Sequence, residues 1–119
     1  MTGKKGPRGR PAADDDETRD REFRKAAFGR KLRALREAAG VSTRMVAEMA
    51  GLGSARGLQQ YEGRCYPPGS VVRRIAVHYG VTPRAMGEMV LMHSDPDLYE
   101  IVTGKPGVRR PPGETRDDG

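Results

Sequence analysis

The feature that most constrains how this chain folds is a pair of very short amphipathic segments in tandem within residues 42–62. Each segment begins with a serine, which can cap a helix N-terminus, and is followed by a glycine, which suits a helix C-terminus. Helices of about two turns are not stable alone in water, so neighbouring elements must hold them by packing. The sequence therefore predicts an all-α domain in which two short consecutive helices lie between other helices. The four boundary residues are Ser42 and Gly51 for the first segment, and Ser54 and Gly63 for the second.

A longer helix is predicted before this pair. Phe28, Leu32 and Leu35 recur at intervals of four and three residues, which places them on one face of a helix. Gly40 suits the C-terminal end of that helix. We therefore expect the first helix within residues 21–39, with its apolar face against the core.

Three more helices are predicted after the pair. Ser70 and Gly80 supply a cap and a stop for the fourth helix. Thr82 caps the fifth, and Pro83 takes its first position, where a missing N–H costs nothing. Asp95 repeats this start signal for a short sixth helix. We expect three apolar residues of the sixth helix to pack against the core: Leu98, Ile101 and Val102.

Composition divides the chain into a folded block and two tails. Residues 1–20 and 105–119 are charged, contain Gly and Pro, and have no apolar periodicity, so we expect both to be disordered. The main domain is then predicted at 21–93 and the short last helix at 94–104. The net charge is +6, and residues 23–92 carry twelve Lys or Arg against four Glu. Because no apolar run is long enough to cross a bilayer, this basic field indicates a nucleic acid partner rather than a membrane.

Residue types that perform catalysis or bind metals are scarce. Cys65 is the only cysteine, so the chain cannot form an internal disulfide or a thiolate metal cluster. His78 and His93 stand apart from other ligand-type residues and from any obvious nucleophile. We therefore expect a protein that is not an enzyme and that has no metal, no other cofactor and no small-molecule ligand.

A set of spaced runs around the tandem segments carries a family resemblance. The runs "LRALREAAGVS", "LQQYEG" and "IAVHYGVTP" follow one another, with Ala47 and Gly51 four residues apart between the first two. Together they resemble the Cro and lambda-repressor type of helix-turn-helix regulator. The resemblance implies that the second short helix enters the major groove of DNA while the first braces it. Between the two helices this chain has one residue more than the family usually shows.

The second short helix carries the candidate base contacts. Leu58 and Tyr61 take its buried side, so its other side chains are expected to face outward. Gly57 is unfavourable inside a helix by about 1 kcal/mol relative to Ala, and we interpret it as permitting close approach to the duplex. Arginine pairs with guanine and glutamine with adenine, each worth about 1–3 kcal/mol of discrimination; the alternative is that these polar side chains simply face water. The candidates are Ala55, Arg56, Gln59 and Gln60.

Residues that flank the pair are placed by the same resemblance to contact DNA phosphates. Such contacts add affinity without sequence preference. The resemblance also implies that Glu62 forms a structural pair with Arg33 or Arg36 of the first helix, rather than acting as an acid catalyst. The phosphate candidates are Thr43, Arg44, Ser54 and Arg64.

The N-terminal run "GPRGRP" resembles the AT-hook, a short extended segment that lies along the minor groove of A/T-rich DNA. The resemblance implies that Arg8 and Arg10 enter the groove, whose narrow form has an enhanced negative potential. Gly9 avoids a collision with the groove wall. The alternative is a plain disordered basic tail. The acidic residues that follow, 14–17, either restrain the arm from indiscriminate binding or are simply solvated.

These expectations converge on a sequence-specific double-stranded DNA-binding regulator of a bacterium or phage, a repressor rather than an activator, located in the cytoplasm at the nucleoid. A homodimer on inverted repeats is expected from the resemblance, and the segments "MGEMVLM" and "LYEIV" either form its surface or belong to the core. Two other functions stay open. An antitoxin of the same fold would need a toxin partner, and an architectural protein would bind any A/T-rich duplex.

Overall fold

The computed structural model describes residues 11–112, and over that range the chain is helical and has no strand. The all-α prediction is confirmed, and the sixth helix is present. A short 3₁₀ turn, Val77–Tyr79, extends the fourth helix. The helices are α1 (Pro11–Ala38), α2 (Thr43–Ala50), α3 (Ala55–Gln60), α4 (Gly69–Ala76), α5 (Pro83–Ser94) and α6 (Pro96–Thr103).

Capping side chains begin three of the helices as predicted. The Ser42 hydroxyl accepts a hydrogen bond from the Met45 backbone N–H at 3.1 Å, and Thr82 and Asp95 cap α5 and α6 in the same way. The prediction for Ser70 is wrong, because α4 begins at Gly69, two residues earlier than that cap implies, and Pro68 occupies the N-cap position. Ser54 stands at the N-cap of α3, but its side chain makes no capping hydrogen bond.

The hydrophobic core gathers residues from five of the helices. Phe28 and Leu32 of α1 are fully buried, as the apolar spacing predicted. Leu58 is the one fully buried residue of α3, so a helix of only six residues is anchored by a single side chain. The other members of this cluster are Val46, Val72, Ile75, Ala76, Tyr79 and Met86.

A glycine in α1 brings that helix against the turn that follows α3. A Cβ atom at Gly29 would collide with the backbone of Glu62 and Gly63. Backbone atoms cannot rotate away, so only glycine fits there. Beside this contact Arg36 donates two hydrogen bonds to the Glu62 carboxylate, at 2.7 and 3.3 Å. These two contacts position the C-terminal end of α3 on α1.

The predicted limits of the tails are wrong on both sides of the folded block. Residues 11–20, expected to be disordered, form the first turns of α1. Proline at the first helical position and acidic residues near a helix N-terminus both favour such a start. Residues 105–112 were also expected to be disordered, yet the Val108 N–H donates to the Met92 carbonyl at 3.0 Å and the Gly107 N–H donates to Glu100 at 2.9 Å. The rest of each predicted tail lies outside the described residues.

The sixth helix packs through a different face from the one predicted. Pro96 and Tyr99 are buried. Three other apolar side chains of this helix face away from the core, because i, i+3 and i+4 positions share one side of a helix and the opposite side is already against α5. The prediction that these three pack inward is wrong: Leu98 is 43% exposed, Ile101 78% and Val102 66%.

Candidate nucleic-acid interface

The short helix α3 holds a polar face away from the core. Leu58 points inward and is fully buried, which turns the opposite side of the helix outward. Arg56, Gln59 and Gln60 are exposed, as predicted, and Ala55 is half-buried. The Arg64 and Cys65 backbone N–H groups both donate to the Gln60 carbonyl, so the chain beyond α3 turns tightly around its end.

The exposed residues of α3 share one shallow surface depression with a residue that follows the helix. The depression has a volume of about 320 Å³ and is lined by Arg56, Gln59, Gln60 and Arg64. Within the part of the chain that the structure describes, neither arginine has an ion-pair partner. Two unneutralised guanidinium groups and two amides therefore converge on one patch. Such a patch offers several donors to an anionic or polar surface.

The turn between α2 and α3 contains two glycines. Gly51 and Gly53 both adopt left-handed backbone, with φ of 69° and 86°. Leu52 lies between them and packs against the core. Beyond this turn Leu58 reaches the core and the polar face of α3 points outward.

A family model described as a helix-turn-helix domain matches residues 27–89, just over half of the chain. The chain belongs to this helix-turn-helix family. Searches of curated proteins and of solved structures give no match. Over residues 11–112, none of the helices has the length and apolar character needed to span a bilayer.

The helix-turn-helix match takes in α2, α3 and their turn. It starts in the second half of α1 and ends within α5, at residue 89. The first turns of α1, the whole of α6 and the segment that follows lie outside it. The parts of the fold that the sequence predicted poorly are therefore largely the parts that the family model does not cover.

The other predicted phosphate contacts are distributed along the two short helices. Arg44 is exposed and lies 4.0 Å from Glu48, at the limit of an ion pair. Ser54 is exposed directly before α3, and Thr43 is half-buried at the first position of α2. The structure brings Arg64 to the depression but places none of these three in its lining.

Gly57 differs from Gly29 in what surrounds it. A Cβ atom at Gly57 would meet nothing within 4 Å, so the packing of this chain does not require glycine there. Its backbone also has no positive φ. Because Gly57 has no side chain, the backbone of α3 is the outermost part of the helix surface at that point. The interpretation that it permits close approach to a duplex stays a prediction.

The predicted pairing of Glu62 is confirmed for Arg36. Both side chains are close to nine-tenths buried, and the hydrogen bond to Glu62 raises the pKa of Arg36 against the opposing effect of burial. Arg33 instead lies on the surface and binds Glu37 of its own helix at 3.0 Å. Glu62 thus ties the end of α3 to α1, which fits a structural role.

One residue that positions α1 against the end of α3 was not predicted from the sequence. Gly29 decides how closely α1 approaches the end of α3, and no prediction from the sequence named it. A glycine inside an otherwise regular helical pattern was the available signal. The predicted arm residues Arg8, Gly9 and Arg10 lie outside the described residues.

Proposed function

We propose that this protein is a sequence-specific double-stranded DNA-binding transcriptional regulator, a repressor of bacterial or phage origin that acts in the cytoplasm at the nucleoid and is not an enzyme. The observation that carries this proposal is the polar face of α3, which is held outward by one buried leucine and converges on one depression with Arg64. In a helix-turn-helix domain this is the face that enters the major groove.

The side chains of that face suit base edges. Arg56 can donate two parallel hydrogen bonds to guanine, and Gln59 or Gln60 can pair with adenine through its amide. At about 1.5 Å per residue, α3 is only about 9 Å long, so it reaches few base pairs. Gly57 lets the helix backbone lie close to the groove, which brings these side chains within hydrogen-bonding distance.

Phosphate contacts would set the affinity and the register. Arg64 lies beside the base-reading face, and Arg44 and Thr43 lie at the start of α2. Ser54 keeps its hydroxyl available because it does not cap α3. Contacts of this kind release counterions, so binding should weaken steeply with salt.

The N-terminal arm would add a second mode of contact. Arg8 and Arg10, separated by Gly9, are proposed to lie in a narrow A/T-rich minor groove beside the main site. Removing both arginines should weaken binding to A/T-flanked sites and flatten the salt dependence, because fewer counterions are released.

Selection of bound fragments from random duplex DNA tests the proposal. The preferred site of the full chain is compared with the sites of Arg56→Ala and Gln60→Ala, each of which should lose preference at particular base positions, by about 1–3 kcal/mol per lost contact. Arg30→Ala is the matched control, since Arg30 of α1 is an exposed arginine outside the depression with no ion-pair partner among the described residues.

Three results would contradict the proposal. The chain fails to bind duplex DNA at low ionic strength, the two α3 variants select the same site as the unaltered chain, or unrelated A/T-rich duplex competes as well as the selected site. The last result would instead indicate the architectural function.

A further inference from the structure

A second concave surface, which we call the trough, lies between α4 and α5. It has a volume of about 500 Å³ and shares no residue with the depression beside α3. Sites for small molecules have volumes of about 300–1,000 Å³ and are mostly apolar, with a few polar groups that fix the ligand. The trough has both properties. Its apolar lining consists of Pro67, Val72, Pro83, Val90 and Leu91.

Glycine lines the trough at a position where the fold does not need it. Gly87 lies inside α5, has no positive φ, and a Cβ atom there would meet nothing within 4 Å. A glycine inside a helix is less favourable than alanine. At Gly29 a side chain would collide with backbone, whereas at Gly87 it would occupy open space beside the trough. The effect of Gly87 is therefore to keep this surface concave.

Two arginines supply the charge of the trough, and none of its lining residues, all within the described range, is acidic. Arg73 has no ion-pair partner among the described residues. Arg84 lies 3.3 Å from Glu88 of its own helix, but its side chain is 88% exposed, and such exposed pairs are weak. The trough thus combines an apolar surface with positive charge that the chain itself only partly neutralises.

We infer that the trough binds a small amphiphilic carboxylate, with its apolar chain on the trough lining and its head group on Arg73 and Arg84. Packing removes the apolar chain from water, and a guanidinium group matches a carboxylate in charge and in hydrogen-bond geometry. Because Glu88 partly neutralises Arg84, a single negative charge on the ligand suits the site. The sequence predicts no such ligand, because α4, α5 and the connection before α4 form the trough only when packed together.

Calorimetric titration of the full chain with three ligands of equal chain length tests the inference. The ligands are octanoate, 1-octanol and octyltrimethylammonium, each below the concentration at which it forms micelles. Octanoate should bind saturably at one site per chain. The alcohol should bind roughly tenfold more weakly, because it lacks the charge-assisted hydrogen bonds, and the cation should not bind. Hexanoate should bind up to about fifteenfold more weakly than octanoate, since it buries two fewer methylene groups.

Three variants locate the ligand in the trough. Arg73→Gln should weaken octanoate binding by roughly three- to tenfold and leave octanol binding unchanged. Arg74→Gln is the matched control, because Arg74 is the next residue of α4, is exposed and does not line the trough. Gly87→Leu should abolish binding of both ligands by filling the trough. Its thermal midpoint should be retained or raised, because leucine is the better helix former and the site is open.

Four results would overturn the inference. The chain shows no saturable binding of octanoate, it binds the cation as tightly as the carboxylate, Arg73→Gln and Arg74→Gln weaken binding equally, or a folded Gly87→Leu chain binds octanoate normally. All of these measurements use the protein without DNA. The inference therefore does not rest on the proposed function, and either can fail without the other.

Discussion

The C-terminal half of α1 is held mainly by apolar burial, with the buried Arg36–Glu62 pair at its end, whereas its N-terminal half is held by hydrogen bonds and ion pairs. Phe28 and Leu32 lie fully inside the core. Further towards the N-terminus, Arg24 donates to the His93 carbonyl at 2.7 Å, and Asp20 pairs with Arg110 at 2.9 Å. Contacts between apolar side chains are not weakened by charge screening, while exposed charge pairs are screened by salt. One continuous helix thus has two halves whose stability should respond to different conditions.

The charged half depends on the segment after α6. The Arg110 side chain is only 11% exposed and lies between Asp20 and Asp16, the latter at 3.9 Å. Arg109, its neighbour, instead bridges Asp97 and Glu100 of α6. Asp20, together with Asp16 of the acidic run, therefore anchors α1 to the C-terminal segment, a role that neither hypothesis from the sequence included.

The largest effect is expected where the apolar half of α1 meets the end of α3. Gly29→Ala should lower the free energy of unfolding by about 1–3 kcal/mol, because the added methyl group collides with backbone that cannot move aside. Urea unfolding followed by circular dichroism measures the change. Gly57→Ala is the matched control and should raise stability by up to about 1 kcal/mol, since its methyl group enters open space. Equal stability of the two variants would contradict this account of Gly29.

A smaller, pH-dependent effect on the free energy of unfolding is expected at His93, which lies where the two halves of α1 meet. The His93 ring packs edge-on against Phe28, its Nδ1 donates to the Met89 carbonyl at 2.7 Å, and its Nε2 is buried without a partner among the described residues. Burial lowers the pKa of His93 below its ordinary 6.5, an effect that nearby cations increase. The folded state therefore disfavours the proton that the unfolded state accepts.

The contribution of neutral His93 to the free energy of unfolding should consequently be fully present above pH 6.5. The free energy of unfolding should fall as the pH decreases below 6.5, by at most about 1.4 kcal/mol per pH unit. Unfolding free energies measured from pH 7.5 down to pH 5 test this in the unaltered chain and in His93→Phe, which should lose that part of the dependence. His78→Phe should keep it. A dependence that survives in His93→Phe would assign it to another group.

The smallest effect is expected in the charged half. Arg110→Ala should change the global free energy of unfolding by less than about 1 kcal/mol, as ion pairs with exposed partners generally do. Amide hydrogen exchange should nevertheless accelerate in the first turns of α1 and not around Leu32, and added salt should act in the same direction. Arg109→Ala removes only the contacts with α6 and should leave α1 unchanged. If neither Arg110→Ala nor salt alters exchange in α1, its N-terminal half is held by something other than these charges.

Local patterns were sufficient for most helix boundaries and for the outward face of α3. The caps at Ser42 and Thr82 act within a few residues, so they are visible in the chain itself. The exposure of Arg56 followed from the burial of Leu58 two positions away, which is a property of one helix. The prediction for Ser70 failed although serine is a favoured N-cap, because the Pro68 carbonyl accepts hydrogen bonds from the Val71 and Val72 N–H groups and the helix begins earlier.

Boundaries decided by distant contacts were not predictable in this way. The composition of the first turns of α1 predicts disorder. They are helical in the structure, where Arg110, near the other end of the described chain, pairs with Asp20. In the sequence of α6, burial of Tyr99 and burial of Leu98, Ile101 and Val102 are equally plausible. Only the position of α5 decides which of these side chains is buried.

Capping side chains, stop glycines and apolar spacing therefore specified the helices and the family of this protein, because those signals operate over single turns. Folding in three dimensions alone decided which glycine has no room for a side chain, which carboxylates hold Arg110 and which face of α6 stays exposed. Each of these depends on the distance between groups far apart in the chain, and that distance is a property of the packed molecule.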